Sequence, residues 1–518
     1  MKGAGVRKAR RGALVATVAG LLAAVLIAAS LWHLAGARSG VRAERIEIDG
    51  TPATFWQAAG SGTRPVVVIA HGFAGSARLM ESYALAFARA GFGALAYDLA
   101  GHGANPAPLS GDVARIDGAT ATLVAEMGRM IGAARRLGDG RVAVLGHSMA
   151  ADIAVRAAIA DGRVDATVGV SMASPAVTAD EPANLLVLVG AREGALVEQA
   201  RAAVSLALPP GEAAHLGVNH VDPSQGGARR AVAVPGVGHV GILFAPAAFA
   251  EASAWLSAVW GGGSGGGAPA PARGGWIVLL LAGCLLAAVP AARALPRVAR
   301  LPAGAALGWR RGWAAVVLPA MLTPVLAGAV PPGIVPAPIA DYLAGHLIIY
   351  GVLTAALTGL LGRGIARPRP GTRAMPFVLA VVAFAAFILV AVVWPVHAWL
   401  THFVPTPGRA PVALALVAAA LPFFLATEWL ARGPAAPRFG GAAIAAGLLL
   451  SLLMAVALDP GRLFFLLMIL PAVLGVVVML NLLCALVARR TLHPAPGAIV
   501  AAATLGWGVA ASFPLLGP

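Results

Sequence analysis

The chain has 518 residues, 59% of them hydrophobic and only 12% charged, with a net charge of +16. An apolar share that high, with a charged share about half the ~25% of soluble domains, excludes a wholly soluble protein and points to a membrane. The charge is not a nucleic-acid footprint, because residues 42–260 hold 16 Lys/Arg against 19 Asp/Glu, and the basic excess lies outside them, where the only acids are Asp341, Glu428 and Asp459.

Residues 1–11 form a basic N-terminus with Lys2, Arg7, Lys8, Arg10 and Arg11, and an uncharged apolar run follows over 12–37. At about 1.5 Å per residue that run crosses a hydrocarbon core of roughly 30 Å. It is longer than the apolar region of about 7–15 residues in a secretory signal peptide, which favours an uncleaved anchor over a cleaved leader. In either case the basic flank is expected to stay in the cytoplasm and the next segment to be exported.

Residues 42–260 read as strands alternating with helices. The apolar run 65–70 leads into His71-Gly72-Phe73-Ala74-Gly75, a loop able to present a backbone N–H to a developing oxyanion. Residues 94–98, Ala-Leu-Ala-Tyr-Asp, precede Gly101-His102-Gly103. Residues 142–152 read Val-Ala-Val-Leu-Gly-His-Ser-Met-Ala-Ala-Asp: an apolar strand stops at Gly146, Ser148 follows, and a small-residue helical pattern begins. This is the layout of a nucleophile elbow, with Ala150 where G-x-S-x-G has its last glycine. A strand at 166–172 comes next. A buried strand at 184–190 then runs into Ala191-Arg192-Glu193, which sets a carboxylate just past a strand end, and residues 231–238 lead into His239. Asp180, Glu181 and Asp222 are the other acids able to serve. His71 and His102 read as structural hydrogen-bonding groups, Asp98 as a loop organiser and Asp152, on the helix after the elbow, as a solvated or first-turn charge.

Together, these pieces resemble the α/β-hydrolase superfamily, in its branch of lipase-like, dienelactone-hydrolase-like and serine-aminopeptidase-like enzymes. The chain order of serine, acid and histidine is the order expected there. The resemblance covers about residues 44–260, under half the chain. It implies Ser148 as nucleophile, Glu193 as acid and His239 as base, although the family more often has Asp at the acid position. Phe73 and Met149 are assigned as the oxyanion-hole N–H donors. The expected fold is an α/β sheet with helices on both faces. Only about a dozen residues separate 172 from 184, too few for a helical cap, so the cleft is expected to be open or covered by something else.

Residues 261–275, Gly/Ser-rich and then Ala-Pro-rich, read as a flexible linker. Beyond it, residues 276–518 read as an all-α transmembrane bundle of about eight helices near 276–292, 313–330, 340–361, 376–399, 411–430, 441–458, 463–487 and 497–515. Four alternate loops, 293–312, 362–375, 431–440 and 488–496, hold thirteen arginines, whereas the linker and the other loops hold Arg273, Arg409 and Arg462. By the positive-inside rule the thirteen face the cytoplasm and residues 42–275 lie outside, in a plasma or inner membrane. His346, Glu428 and Asn481 are scattered polar groups within the runs and are read as interfacial or helix-packing residues. Cys284 and Cys484 fall inside apolar runs and suggest no disulfide framework.

The expected activity is hydrolysis of carboxylic acyl esters at a Ser-His-acid triad on a membrane-anchored, extracytoplasmic domain. No cofactor, metal or nucleic-acid partner is implied. The expected substrate is an acyl ester, with a lipid as one candidate. Peptidase or acyltransferase chemistry on the same triad is an alternative, as is a non-catalytic binding module attached to a transporter-like or sensor-like membrane domain. Composition suggests a bacterium with a GC-rich genome, and the oligomeric state is not legible.

Overall fold

The computed structural model describes residues 2–60, 62–112, 115–209, 211–261, 272–364, 370–433 and 435–517. Most of the linker expected at 261–275, together with Arg367 and Arg369 of one arginine-rich loop, lies outside the described residues. The chain divides into two compact units. One comprises Ala28–Leu280, Val396–Thr406 and Ser512–Pro518, and the other comprises Met1–Ile27, Leu281–Pro395 and Pro407–Ala511.

The first unit is built on eight strands: β1 (Val41–Ile48), β2 (Thr51–Ala58), β3 (Val66–Ala70), β4 (Gly93–Tyr97), β5 (Val142–His147), β6 (Ala166–Val170), β7 (Leu185–Gly190) and β8 (Arg229–Val234). They lie in the order β1-β2-β4-β3-β5-β6-β7-β8. β2 is antiparallel to both of its neighbours, and the pairs from β4 to β8 are parallel.

Strands β3 to β7 are buried along their whole length because helices cover both faces. The helix α1 (Lys2–Gly36) precedes the sheet; α2 (Glu81–Arg89), α3 (Ala121–Leu137), α4 (Met149–Asp161), α5 (Gly194–Ser205) and α6 (Pro246–Val259) alternate with its strands. Val67, Ile69, Ala143 and Leu145 pack with Tyr83 and Phe87 of α2 and Phe249 and Trp255 of α6. Their neighbours Val66, Val68, Val142 and Val144 point the other way, against Met127 and Ile131 of α3 and Ile153 and Ala157 of α4. Two-sided burial explains why the strands read as unbroken apolar runs rather than as alternating ones. A fully buried Phe or Leu contributes about 1.5–3 kcal/mol through removal from water. Residues 171–184, between β6 and β7, hold no helix.

After β3 the sheet grows outward through β4 on one side and through β5 on the other. Such a reversal leaves a crevice at the carboxyl ends of the two diverging strands, where α/β sheets bind ligands. The register pairs Ala70 of β3 with Gly146 of β5, so the loop starting at His71 and the turn holding Ser148 leave the sheet side by side.

The second unit and its flanks are helical: α7 (Gly274–Ala291), α8 (Trp309–Ala327), α9 (Ala340–Leu361), α10 (Ala374–Ile388), α11 (Trp394–Trp399), α12 (Ala410–Ala431), α13 (Gly440–Leu458), α14 (Pro460–Thr491) and α15 (Ala495–Ser512). Eight stretches among the described residues, the N-terminal one included, are helical, long and apolar enough to cross a membrane. α8 is not one of them. The run expected at 313–330 does form a helix, but it starts at Trp309 and so takes in Arg310 and Arg311, and it carries Pro319 and Pro324. Two of the scattered polar groups, His346 and Glu428, find side-chain partners. The Ser451 hydroxyl lies 3.1 Å from His346 Nε2 and Glu428 pairs with Arg432 at 2.9 Å, while Arg432 also donates to the backbone carbonyl of Asn481.

α15 stops at Ser512, short of the expected 515, because Pro514 cannot continue a helix. The tail instead pairs with the loop after β4. Leu515 N–H donates to Gly101 O, Leu109 N–H to Leu515 O, and Gly517 N–H to Leu109 O, each at 2.8 Å.

Candidate active site

The turn after β5 explains why this sequence places a serine there. Ser148 has φ +54° and ψ −121°, a left-handed conformation that a non-glycine residue adopts only when its surroundings hold it. Ser148 N–H donates to Val170 O at 2.8 Å, extending the pairing with β6, and α4 begins at the next residue. A Cβ on Gly146 would collide with the Ala150 carbonyl, so that position requires glycine. Ala150 itself is buried in the α3–α4 core, where a methyl group has room, and this accounts for the departure from a final glycine.

Three side chains distant in sequence converge at this turn. His239 Nε2 lies 2.9 Å from Ser148 Oγ, and His239 Nδ1 lies 2.7 Å from Glu193 Oε1. The carboxylate beside Nδ1 fixes the proton there and leaves the Nε2 lone pair facing the hydroxyl. Glu193 caps α5 just beyond β7, and its side chain folds back so that Oε2 accepts Gly190 N–H at 2.7 Å and the Ser171 hydroxyl at 2.8 Å. Burial pushes the Glu193 carboxyl up, but the hydrogen bonds from His239, Gly190 and Ser171 outweigh it and hold the group below the usual carboxylate range. The acid is 7% exposed and the imidazole 31%, so the imidazole stays open to a substrate.

Of the other acids, Asp222 accepts from Ser224 within its own turn, and Asp152 pairs with Arg156 and with the Ser174 hydroxyl. Asp98 accepts Ala77 N–H at 2.7 Å and Ala104 N–H at 2.8 Å, tying together the loops after β3 and β4. His71 accepts Leu99 N–H at Nε2, which leaves its Nδ1 proton for Gly72 O at 2.8 Å. Burial lowers its basicity.

The two expected N–H donors flank the serine. Met149 is the first residue of α4, so its N–H has no carbonyl to meet inside the helix and lies at the positive end of the helix dipole. Phe73 follows Gly72, whose Cα comes so near the elbow that an added Cβ would sit 2.9 Å from His147 Nδ1 and 3.0 Å from Ser148 Cβ.

Sequence reasoning gave no role to two neighbours. Ser171, at φ +51° past the end of β6, is one. The other is His147, whose Nε2 lies 3.0 Å from His239 O, with the two rings 4.9 Å apart. Since a carbonyl can only accept, His147 donates from Nε2. Burial, reinforced by the nearby His239, lowers its pKa to about 4. His147 was visible within the elbow motif, but its carbonyl partner 92 residues on was not.

A mostly parallel sheet with this strand order, flanked by helices and with a serine at the sharp turn after β5, defines an α/β-hydrolase fold. Within it, residues 61–215 match the family model described as serine aminopeptidase, S33. Among solved structures the chain is similar to a bacterial membrane phospholipase A (17% identity, 51% of this chain and 100% of that one, TM-score 0.32). It is also similar to a dienelactone hydrolase from Anabaena variabilis (17%, 42% and 97%, TM-score 0.30). A third likeness is to an epoxide hydrolase from Vigna radiata, of which the chain spans 40% (23% identity, 26% of this chain, TM-score 0.21). No curated protein matches the chain.

Proposed function

We propose that the protein is a membrane-anchored serine hydrolase that cleaves carboxylic acyl esters. Ser148 attacks the carbonyl carbon as His239 Nε2 takes its proton. Glu193 stabilises the imidazolium, and the Phe73 and Met149 N–H groups hold the oxyanion. The imidazolium then gives its proton to the departing alcohol oxygen as the C–O bond breaks. Water, deprotonated by His239, releases the acid from the acyl-enzyme. The observation that carries this reading is the continuous hydrogen-bonded line from Ser148 Oγ through His239 to Glu193 Oε1.

We further propose that the sheet-containing unit lies outside the cytoplasm with the N-terminus inside, as the arginine alternation suggests, and that its substrate is presented at the membrane surface. The family model's aminopeptidase description favours a second reading, in which the scissile bond is an amide and the leaving group an amine. The full chain in nanodiscs, assayed against acyl esters, aminoacyl amides and ester-bearing vesicles, separates these readings. The ester reading expects a fluorophosphonate probe to label the wild type and not Ser148→Ala, with esters turned over faster than amides. An unlabelled wild type, or hydrolysis surviving in Ser148→Ala, would remove it.

A further inference from the structure

The loop after β3 carries both the Phe73 donor and Ser76, and two stretches from far along the chain grip it at those two points. The Phe513 ring packs edge-on to Phe73 with centroids 6.3 Å apart and planes at 80°. Phe513 is buried, and the three backbone hydrogen bonds that Leu515 and Gly517 share with Gly101 and Leu109 of the loop after β4 fix the tail that bears it. At the second point Ser76 Oγ lies 2.9 Å from Thr401 Oγ1 and accepts His402 N–H at 2.9 Å.

The stretch holding Thr401 is itself braced. Arg38 stacks 4.3 Å from the Trp399 ring centroid and donates to the Ala398 carbonyl, and Arg273 donates to the Trp399 carbonyl. Both guanidiniums converge on the buried Glu81, at 2.6 and 3.1 Å. All of these residues belong to the sheet-containing unit.

Between the two grips sits Ala74, a non-glycine residue at φ +57°. A backbone held there relaxes unless its neighbours over-determine it. We infer that Phe513 on one side, and Thr401 with His402 on the other, are positioning residues that hold this strained loop so that the Phe73 N–H meets the oxyanion. The inference rests on reading Phe73 as a donor in ester hydrolysis. It makes two short stretches far along the chain, Val396–Thr406 and the tail from Ser512, supports of the catalytic apparatus.

The physical consequence is specific. Met149 N–H belongs to α4 rather than to the gripped loop, so loosening the loop weakens one of two donors and leaves the hydrogen bonds of the triad in place. An interaction made only in the transition state shows itself in kcat and not in KM. Losing a whole donor costs about 10²–10³, and a loosened one costs part of that.

The test uses the full-length protein in nanodiscs with p-nitrophenyl esters, comparing Phe513→Ala, Phe513→Tyr and Thr401→Val. Phe513→Ala is expected to lower kcat about tenfold with KM within about twofold. Thr401→Val, which leaves the His402 N–H on Ser76, is expected to lower it about threefold, and Phe513→Tyr to restore near-wild-type kcat. The pH profile should keep its shape in all three. Unchanged kcat in both Phe513→Ala and Thr401→Val, or a rise in KM at constant kcat, overturns the inference, and Thr401→Val decides alone if Phe513→Ala does not fold. Failure of the underlying reading looks different, because the wild type would then stay unlabelled or leave the p-nitrophenyl esters intact, or Ser148→Ala would retain activity. A wild type that labels at Ser148, with grip variants that behave like it, refutes only the positioning role.

Discussion

Acidification should loosen the sheet-containing unit in part through the buried histidine of the elbow. His147 titrates near 4 in the folded protein, against about 6.5 for an unperturbed imidazole. Its neutral form is favoured on folding, so between those values the unfolded chain binds a proton that the folded chain refuses. Stability from this group is therefore full above about pH 6.5 and is lost as the pH falls towards 4. Integrating the linkage from pH 7 to pH 5 gives a loss of about 2 kcal/mol. For a unit of roughly 270 residues this lowers the melting temperature by about 4 °C. His147→Gln removes the titration but keeps a donor for the His239 carbonyl. Thermal unfolding of wild type and variant at pH 7 and pH 5, in the same detergent, should show the variant losing about 4 °C less than the wild type over that interval. Parallel pH dependences in the two proteins, or a His147 proton resonance that titrates near 6.5, would refute the reasoning.

Glu193→Gln leaves the imidazole without a charged partner and free to take the wrong tautomer, and kcat for esters should drop by about 10³–10⁴ with Ser148 still in place. Gly72→Ala pushes a methyl group to 2.9 Å from His147 Nδ1 and 3.0 Å from Ser148 Cβ. It should cost at least about 10² in kcat while circular dichroism stays native, since the displaced loop carries one donor. Ser171→Ala removes one of the bonds that depress Glu193, so the carboxyl should move up towards its ordinary range. A depressed carboxyl stabilises the fold above about pH 4.3 and loses that contribution as the pH falls through its folded-state value. The variant should therefore melt below the wild type at pH 7, by no more than about 1.5–3 kcal/mol of lost bonding, and approach it once the pH has fallen below the carboxyl's folded-state value.

The parts of this site that stand at strand ends could be read from the sequence. Ser148, Glu193 and the His71–Gly75 loop each follow an apolar run whose length marks a buried strand, and the order of those runs follows the chain. That position singles out Glu193 as the acid without excluding the other acids nearby. Asp180, Glu181, Asp222 and Glu193 are all compatible with the pattern, and the choice depends on how the turn after β7 folds its side chain back. β1 was also invisible as a strand. Its sequence, Val-Arg-Ala-Glu-Arg-Ile-Glu-Ile, is charged and largely exposed because it is the sheet's edge, where charge guards against pairing with another chain. The grips on the loop after β3 were the least legible of all. Phe513 lies 440 residues from Phe73, and a phenylalanine at the end of an apolar helix carries no local signal that distinguishes membrane packing from a contact near a serine.

The site's groups divide by what holds them. Ser148 and Glu193 stand on the ends of strands buried on both faces, and the sheet's packing positions them without further help. His239 and Phe73 stand on loops, where geometry drifts unless something ties it down. For His239 the ties are the His147 hydrogen bond to its carbonyl and the bond from Arg192 N–H to Val237 O, which joins its loop to that of Glu193. For Phe73 they are Asp98 and His71, reinforced from afar by Phe513 and Thr401. An oxyanion donor misplaced by about 1 Å forfeits much of its effect, because its energy is realised only when it points at the charge that develops. With no helix between β6 and β7 to overlie the cleft, the grips from residues 396–406 and from the tail supply restraint that the sheet alone does not extend to that loop.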